Sequence, residues 1–354
     1  MEDIRAWTTS LAQANTEDGI SNVVFAEYIW LDAEQTVRGK SRVLTSAEHC
    51  NAVMQRNVKA LPEWNFDGSS TEQASGHDSE VLLRPVAMYD DPFRKRPHVL
   101  VLCETRQSHK YDWGAPHASN TRAECLQVMQ LASDSKPWFG LEQEFTLLDG
   151  KTMRPLGWPA NPSCTPAPQG PYYCSVGANK AIGREISEAH AQACVYAGLK
   201  LSGTNAEVMP SQWEFQIGPC EGITAGDQVT VARYLLHRVA EMADVVATIH
   251  PKPMPGDWNG AGCHVNFSTE AMRRDGGLSV IGDAIDRLSR QHAAFLALSG
   301  TDNDLRLTGK HETSDPDVFR HGVGDRGAAV RIPNATHAQV TRAIVQIAVL
   351  QQDL

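Results

Sequence analysis

The stretch Phe139-Gly-Leu-Glu-Gln-Glu-Phe-Thr-Leu-Leu148 has the length and apolar content of a β-strand, and it carries two glutamates. Because side chains on a strand alternate between its two faces, Glu142 and Glu144 project from the same face. Glutamates in this pattern more often mark a solvated face than a site, since antiparallel strands commonly expose one side. Here their neighbours are aromatic and aliphatic, and a buried carboxylate needs a partner or a metal ion.

Two further stretches carry polar residues in a similar apolar setting. Residues 204–217 contain Glu207 and Glu214 on predicted strands, and residues 262–268 form another predicted strand. That last strand places three polar side chains on one face, namely His264, Asn266 and Ser268. Four carboxylates with a single imidazole suit Mg²⁺ or Mn²⁺ rather than a structural zinc ion. The pattern therefore predicts an oxygen-rich site for divalent metal ions.

Length and composition indicate a globular protein of two domains. The chain has 354 residues, 42% of them hydrophobic and 21% charged, which exceeds the size of a comfortable single core. A net charge of -10 argues against general binding of nucleic acid or of anionic membranes, although a local cationic pocket could still bind phosphates. No stretch is apolar for long enough to span a membrane. The scattered cysteines form no C-x-x-C pair, so we expect a reducing, cytoplasmic setting.

The order of predicted elements indicates an α+β fold. Strands are predicted at 22–32 and 99–104, with few helical patterns between them, so the N-terminal domain is sheet-rich. A helix is predicted from Thr121 to Ser133, capped by Asn120 or Thr121. The remaining helices alternate with the strands that bear the glutamates, and they are predicted at 180–196, 227–247, 278–298 and 340–350. We expect these helices to back an antiparallel sheet.

Long consecutive runs in this sequence resemble those of type II glutamine synthetase, the form typical of eukaryotes and also found in some bacteria. The resemblance covers nearly everything from Asn22 to Pro333 and is far more specific than a short motif. The runs are Trp64–Thr71, Asp91–Lys95, Gly140–Glu144, Pro168–Cys174, Glu207–Gly222, Asn259–His264 and Arg306–Thr313.

The resemblance implies the fold, the reaction and the assembly. It implies a β-grasp N-terminal domain at 22–106 and a glutamine synthetase catalytic domain at 117–354. It implies ATP-dependent ligation of ammonia to the γ-carboxylate of L-glutamate through γ-glutamyl phosphate, with two or three Mg²⁺ or Mn²⁺ ions per site. It also implies a homo-oligomer, a decamer of two pentameric rings with active sites between subunits, and small-molecule substrates only.

Matching the family's functional residues to this sequence assigns expected roles. The metal ligands match the residues grouped above, Glu142, Glu144, Glu207, Glu214 and His264. The glutamate-binding positions match Asp257, where the family usually has asparagine, and Trp258, Asn259, Gly260, Arg306 and Arg326. The nucleotide-binding positions match Glu142, Glu214, Phe215, Gln216, Ile217, Gly218, Pro219, Asn266, Phe267, Ser268, Arg326 and Arg331.

Three catalytic roles also follow from the resemblance. Asp67 is expected to attract ammonium and accept its proton, and its loop is expected to reach the site of a neighbouring subunit. Glu312 is expected to close a flap over the intermediate and exclude water. Arg326 is expected to contact the transferring phosphate, because a guanidinium group meets phosphate oxygens bidentately.

The chain departs from the family after Pro333. The family has a longer stretch there that contains an aromatic-Glu-Asp-Arg-Arg-Pro motif, whereas this chain continues through residues 334–339 into the predicted helix. One metal carboxylate and one substrate arginine therefore have no counterpart in this sequence. Besides an active glutamine synthetase, two alternatives stay open: a catalytically impaired structural or regulatory homologue, and a related γ-glutamyl-amine ligase.

Overall fold

Contacts within the chain divide the structure into two units. The structure is a computed structural model that describes residues 23–108, 113–159, 161, 163, 164, 166–309, 313–338 and, for the backbone alone, 348–350. Unit 1 contains the chain up to Val128 together with 192–199 and 226–235, and unit 2 contains 129–191, 200–225 and the chain from Leu236 onward. The domain limits 22–106 and 117–354 stay predictions.

Unit 1 is built on a five-stranded sheet in the order β2-β1-β5-β4-β3. The strands are β1 (Val24–Leu31), β2 (Val37–Leu44), β3 (Trp64–Asp67), β4 (Glu80–Asp90) and β5 (Val99–Gln107). β1 and β5 run parallel and the other neighbours are antiparallel. Both strands predicted here are confirmed. Both strands are rich in β-branched and aromatic residues. Tyr28 on β1 and Val101 on β5 are completely buried and belong to the same hydrophobic core.

Short helices complete unit 1. The helix α1 (Ala47–Met54) begins after Ser46, whose hydroxyl accepts a hydrogen bond from the backbone N–H of His49. It was not predicted, since eight residues are too few for a clear helical period. The helix α2 (Thr121–Leu131) begins after Asn120, whose side-chain oxygen accepts from the backbone N–H of Ala123. Asn120 is therefore the N-cap, one of the two caps predicted.

Unit 2 contains an eight-stranded sheet in the order β11-β12-β13-β10-β6-β8-β7, with β9 also paired to β6. The strands are β6 (Trp138–Asp149), β7 (Leu201–Ala206), β8 (Gln212–Glu221), β9 (Val245–Thr248), β10 (Cys263–Ser268), β11 (His321–Val323), β12 (Val330–Ile332) and β13 (Ala348–Leu350). The sheet is antiparallel apart from the parallel pair β11 and β12. The α+β prediction is confirmed.

The longer helices differ from prediction in their limits. They are α3 (Arg184–Ala197), α4 (Thr224–Met242), α5 (Gly277–Ser289), α6 (His292–Leu298) and the short α7 (Asn334–Ala338). The helix predicted at 227–247 was wrong at its end, because Val245–Thr248 pairs with β6 as strand β9. The single helix predicted at 278–298 is two helices, separated where Gln291 leaves helical dihedral angles.

The helix predicted at 340–350 is also wrong where the structure describes it. Residues 339–347 lie outside the described residues, and Ala348–Leu350 forms β13, which pairs antiparallel with β10. An apolar run of this length fits a strand as well as a helix. Across the described ranges, no helix combines the length and the apolar character that a membrane crossing requires.

Within unit 1, Arg122 joins α2 to α4. Its Nε and Nη2 donate to the two carboxylate oxygens of Asp227 at 2.7 and 2.9 Å, and its Nη1 lies 3.7 Å from Glu104. Both carboxylates are buried. We predict that Arg122→Met lowers the free energy of unfolding by about 3–5 kcal/mol, because the buried carboxylate of Asp227 loses its cation, whereas Glu104 keeps its salt bridge to Arg106.

Urea unfolding followed by circular dichroism measures this change. Arg274→Met is the matched control, since Arg274 pairs with Glu270 at 3.2 Å with 70% of its own side chain exposed. Such a surface pair contributes less than about 1 kcal/mol. Equal losses in the two variants would contradict a structural role for Arg122.

Candidate functional site

The central strand β6 brings most of the predicted metal ligands together. Glu144 on β6 lies directly opposite Glu214 on β8, and Glu142 lies directly opposite His264 on β10. Glu207 is not on a strand as predicted, because β7 ends at Ala206; its backbone N–H instead donates to the Gln212 carbonyl at 2.8 Å. Four carboxylates and one imidazole thus converge in unit 2.

These residues form two overlapping groups. Ligand atoms of Glu142, Glu214 and His264 lie within 4.8 Å of one another, and so do those of Glu144, Glu207 and Glu214. Glu214 belongs to both groups. The arrangement can hold two divalent cations that share one carboxylate, and its donors are the oxygen-rich set that Mg²⁺ and Mn²⁺ prefer.

An amide N–H holds each of the four carboxylates in place. Such donors orient metal ligands and limit the repulsion between their charges. The pairs are Asn266 Nδ2 with Glu142 at 2.7 Å, the Gly262 backbone N–H with Glu144 at 2.7 Å, Asn205 Nδ2 with Glu207 at 2.9 Å, and Gln216 Nε2 with Glu214.

Burial and mutual repulsion raise the pKa values of two carboxylates in the group that contains Glu207. Burial raises the pKa of Glu207 to about 8, and the charges of Glu144 and Glu214 add to the rise. Burial also raises the pKa of Glu214 to about 7, although the hydrogen bond from Gln216 opposes it. Without a cation these carboxylates hold protons near neutral pH. A divalent cation would replace those protons, so the group is suited to bind one.

The pair Glu142 and His264 behaves in the opposite way. Burial opposes ionisation of Glu142, but the hydrogen bond and charge of His264 outweigh it, so the pKa of Glu142 is below its ordinary value. Burial likewise opposes protonation of His264, yet its hydrogen bond to Glu142 at 3.2 Å raises the pKa of His264. The two side chains form an ion pair that a cation would have to replace.

A cavity of about 840 Å³ opens over these ligands. Besides the five metal-ligand candidates, it is lined by five other residues that the sequence assigned to a site: Gln216, Asn259, Arg306, Arg326 and Arg331. Six lining residues were not assigned from the sequence: Gln169, Gly170, Tyr173, Asn205, Val208 and Thr313. The cavity therefore combines buried carboxylates with three guanidinium groups.

The arginines differ in their surroundings. Arg306 is buried, with 7% of its surface exposed, and this burial lowers its pKa to about 10, against the opposing charge of Glu144. Arg331 lies on β12, and its positive charge helps to lower the pKa of Glu142. Arg326 is exposed in the connection between β11 and β12. Together they can bind an anionic substrate beside the carboxylates.

The structure does not bring every assigned residue to the cavity wall. Phe215 and Ile217 alternate with Glu214 along β8, so their side chains point into the core, where each is 1% exposed. The Trp258 ring packs on Trp158, with centroids 4.8 Å apart. The assigned residues absent from the lining are Phe215, Ile217, Gly218, Pro219, Asp257, Trp258, Gly260, Asn266, Phe267 and Ser268.

Two assigned catalytic residues lie elsewhere. Asp67 ends β3 in unit 1 and is exposed; the Ser69 hydroxyl and backbone N–H donate to it at 2.7 and 3.0 Å. These bonds, led by the hydroxyl, hold the pKa of Asp67 below its ordinary value, so its carboxylate is charged at neutral pH. Glu312 lies outside the described residues. The roles of both stay predictions.

The sequence contained a signal for some of the unassigned lining residues. Asn205 lies two positions before Glu207, and Gln169 and Tyr173 belong to the run Pro168–Cys174, which matches the family but was given no role. Neutral amides carry no charge pattern, so spacing alone does not distinguish them from ordinary strand residues.

Comparison with known proteins matches both parts of the chain. A family model described as the glutamine synthetase β-Grasp domain matches residues 22–108, and one described as the glutamine synthetase catalytic domain matches 121–298. A glutamine synthetase of Tuber borchii is 53% identical over 312 residues, covering 88% of this chain and 83% of its own length. Those of Mus musculus and Homo sapiens are 54% and 51% identical, over 88% and 92% of this chain and 81% and 87% of their own lengths.

The raised pKa values of Glu207 and Glu214 predict a pH-dependent stability of the metal-free chain. Since both values, about 8 and about 7, exceed the ordinary 4.5, the folded state binds more protons than the unfolded state between these limits. Stability contributed by the protonated forms is therefore lost as pH rises from about 5 to 8. We predict that Glu207→Gln unfolds at a higher temperature than the unmodified chain at pH 8 in chelator, and gains less from added Mg²⁺.

Thermal unfolding at pH 6 and pH 8, with EDTA or Mg²⁺, checks this prediction. Glu188→Gln is the control, because that glutamate is 57% exposed. If Glu207→Gln were no more stable than the unmodified chain at pH 8 in EDTA, repulsion among these carboxylates would not limit stability.

Proposed function

Because the chain belongs to the glutamine synthetase family, we propose that it ligates ammonia to the γ-carboxylate of L-glutamate, with cleavage of ATP to ADP and phosphate. The observation that carries this proposal is the cavity in which two carboxylate-rich groups share Glu214 beside three arginines. Transfer of a phosphoryl group to a carboxylate brings many negative charges together, and such a cavity is suited to offset them.

The donor set fits divalent metal ions. Glu142, Glu214 and His264 would hold one Mg²⁺ or Mn²⁺, and Glu144, Glu207 and Glu214 would hold another. When bound, such ions neutralise charge on the transferring phosphoryl group. The raised pKa values of Glu207 and Glu214 support this assignment, because a cation offsets the burial and the carboxylate repulsion that raise them.

The arginines are proposed to bind and orient the reactants in the first step. An oxygen of the glutamate γ-carboxylate attacks the terminal phosphorus of ATP, the bond from that phosphorus to the bridging oxygen breaks, and ADP leaves. Arg306 and Arg326 would hold the glutamate and the transferring phosphoryl group, and Arg331 the nucleotide phosphates. The products of this step are γ-glutamyl phosphate and ADP.

Asp67 is proposed to act in the second step. Ammonium has no lone pair, so the Asp67 carboxylate would attract it and accept one proton. The ammonia nitrogen then attacks the γ-carbonyl carbon, the bond from carbon to the phosphate oxygen breaks, and phosphate leaves with the further proton that the nitrogen loses. The lowered pKa of Asp67 supports attraction of a cation at neutral pH. Glu312 is proposed to close over the intermediate and keep water out.

The proposal also covers the oligomeric assembly and the cellular location of the protein. We propose a homodecamer of two pentameric rings in which the Asp67 loop completes the site of a neighbouring subunit. The exposure of Asp67 is compatible with this. We also propose a cytoplasmic location, supported by all eight cysteines, each within the described residues and none in a disulfide bond.

We predict that glutamine forms from glutamate, ATP and ammonium only when Mg²⁺ or Mn²⁺ is present. Glu214→Gln should lower kcat by at least about a hundred-fold, because it weakens both metal groups while keeping the side-chain volume. The assay measures glutamine and phosphate together. Glu221→Gln, which changes an exposed glutamate on the same strand, is the matched control.

The outcome separates the remaining alternatives. Product with methylamine but none with ammonium would indicate a γ-glutamyl-amine ligase. A folded oligomer with no turnover of either amine would indicate a structural or regulatory homologue.

We predict that Asp67→Asn raises the ammonium KM and slows glutamine formation by about a hundred-fold or more, because the amide is near-isosteric but neutral. Glutamate-dependent cleavage of ATP should suffer less, since activation precedes the arrival of ammonia. Steady-state kinetics with ammonium varied, together with a single-turnover measurement of ATP cleavage, check the two steps. Glu72→Gln is the control, because Glu72 is exposed in the same loop.

The same variant tests the assembly. Mixing Asp67→Asn chains with Glu214→Gln chains should restore some activity after reassembly, since one interface would combine an intact loop with an intact metal group. A mixed oligomer without recovery would place the loop and the metal groups of each site in one subunit.

A further inference from the structure

Asn205 lies between two carboxylates that belong to the same metal group. It is on β7, where it pairs with Glu214 on β8. Its Nδ2 donates to Glu207 Oε1 at 2.9 Å, and its Oδ1 accepts from Gln216 Nε2 at 3.1 Å. Gln216 Nε2 in turn donates to Glu214 Oε1. A chain of hydrogen bonds therefore runs from Glu207 through two amides to Glu214.

The direction of each amide follows from its neighbours. With a cation bound, both carboxylates are ionised and only accept hydrogen bonds, so the nitrogen of Asn205 faces Glu207 and the nitrogen of Gln216 faces Glu214. The oxygen of Asn205 is then the acceptor for Gln216. Reversal of either amide would place two oxygens against each other, so the chain of bonds has one consistent arrangement.

A glycine makes room for this arrangement. Gly203 lies on the same face of β7 as Asn205 and pairs with Gln216 across the strands. A Cβ atom at Gly203 would lie 2.5 Å from Gln216 Oε1, which is closer than such atoms approach. The Gln216 side chain therefore occupies the space that a side chain at position 203 would take.

We propose that Asn205 and Gln216 are positioning residues that fix the spacing of Glu207 and Glu214 and thereby select Mg²⁺ over Ca²⁺. Mg²⁺ requires near-ideal octahedral geometry, whereas Ca²⁺ accepts a flexible site with longer bonds. Carboxylates held by fixed donors satisfy the smaller ion, and loosened carboxylates favour the larger one. This inference rests on the metal site of the proposed function and not on the ligase reaction.

Calorimetric titration of the full chain with Mg²⁺ and, separately, Ca²⁺ tests the proposal without an activity assay. Asn205→Ala should lower Mg²⁺ affinity by about 10–100-fold, the usual effect of losing a partner of a metal ligand, and should lower Ca²⁺ affinity less. Gly203→Ala should change both affinities in the same directions, because it displaces Gln216 without altering any amide or ligand. Glu188→Gln, which changes an exposed glutamate outside the cavity lining, should leave both affinities unchanged.

The titrations distinguish a failure of the positioning role from a failure of the metal site. If Asn205→Ala and Gly203→Ala keep the Mg²⁺ to Ca²⁺ affinity ratio of the unmodified chain, or lose affinity for both ions equally, the positioning role is wrong and the metal site stands. If the unmodified chain binds neither ion, the metal site is wrong and this inference fails with it. Unfolding midpoints in EDTA identify a variant that fails to fold, and Gly203→Ala, which keeps the hydrogen-bonding groups, then provides the decisive titration.

Discussion

Repulsion among three buried carboxylates is the constraint on which the cavity of unit 2 depends. Glu144, Glu207 and Glu214 have ligand atoms within 4.8 Å of one another, and each residue is less than a tenth exposed. Such charges cannot be buried together without protons, donors or a cation. The amide donors, the raised pKa values and the shared position of Glu214 all follow from this one requirement. The crowded carboxylates lower the stability of the metal-free chain, and binding of a cation would restore it.

The same cavity places positive and negative groups side by side although the chain carries a net charge of -10. Arg306 and Glu144 interact while both are buried, and Arg331 acts on Glu142. The cavity wall therefore carries charges of both signs within an acidic chain. A site that must accept a nucleotide, a dicarboxylate and metal ions needs this mixture, because a uniformly acidic wall would repel two of them and a uniformly basic wall would repel the third.

Much of this arrangement was predictable because strand alternation is a local property. A period of two residues placed Glu142 and Glu144 on one face, their apolar surroundings linked them with Glu207, Glu214 and His264, and the structure brings the five together. Features that depend on pairing between residues far apart in the sequence were not predictable in this way. Val245–Thr248 was predicted as the end of a helix, since only its pairing with β6 makes it a strand. The amides of Asn205 and Gln216 were missed as a connected pair, because their meaning comes from what lies across the neighbouring strand.

The two central strands carry the site and the core in alternate positions. On β6, Glu144 is followed by Phe145, which is fully buried; on β8, Glu214 lies between Trp213 and Phe215, which are 2% and 1% exposed. A shift of one residue in either strand would turn Glu144 or Glu214 towards the core and bring one of its neighbours, Phe145 on β6 or Trp213 or Phe215 on β8, to the cavity face. Insertions and deletions within β6 or β8 would thus destroy packing and chemistry in a single event. The lengths of these two strands are therefore fixed by the core and the site together, whereas the connections outside them are free of this double constraint.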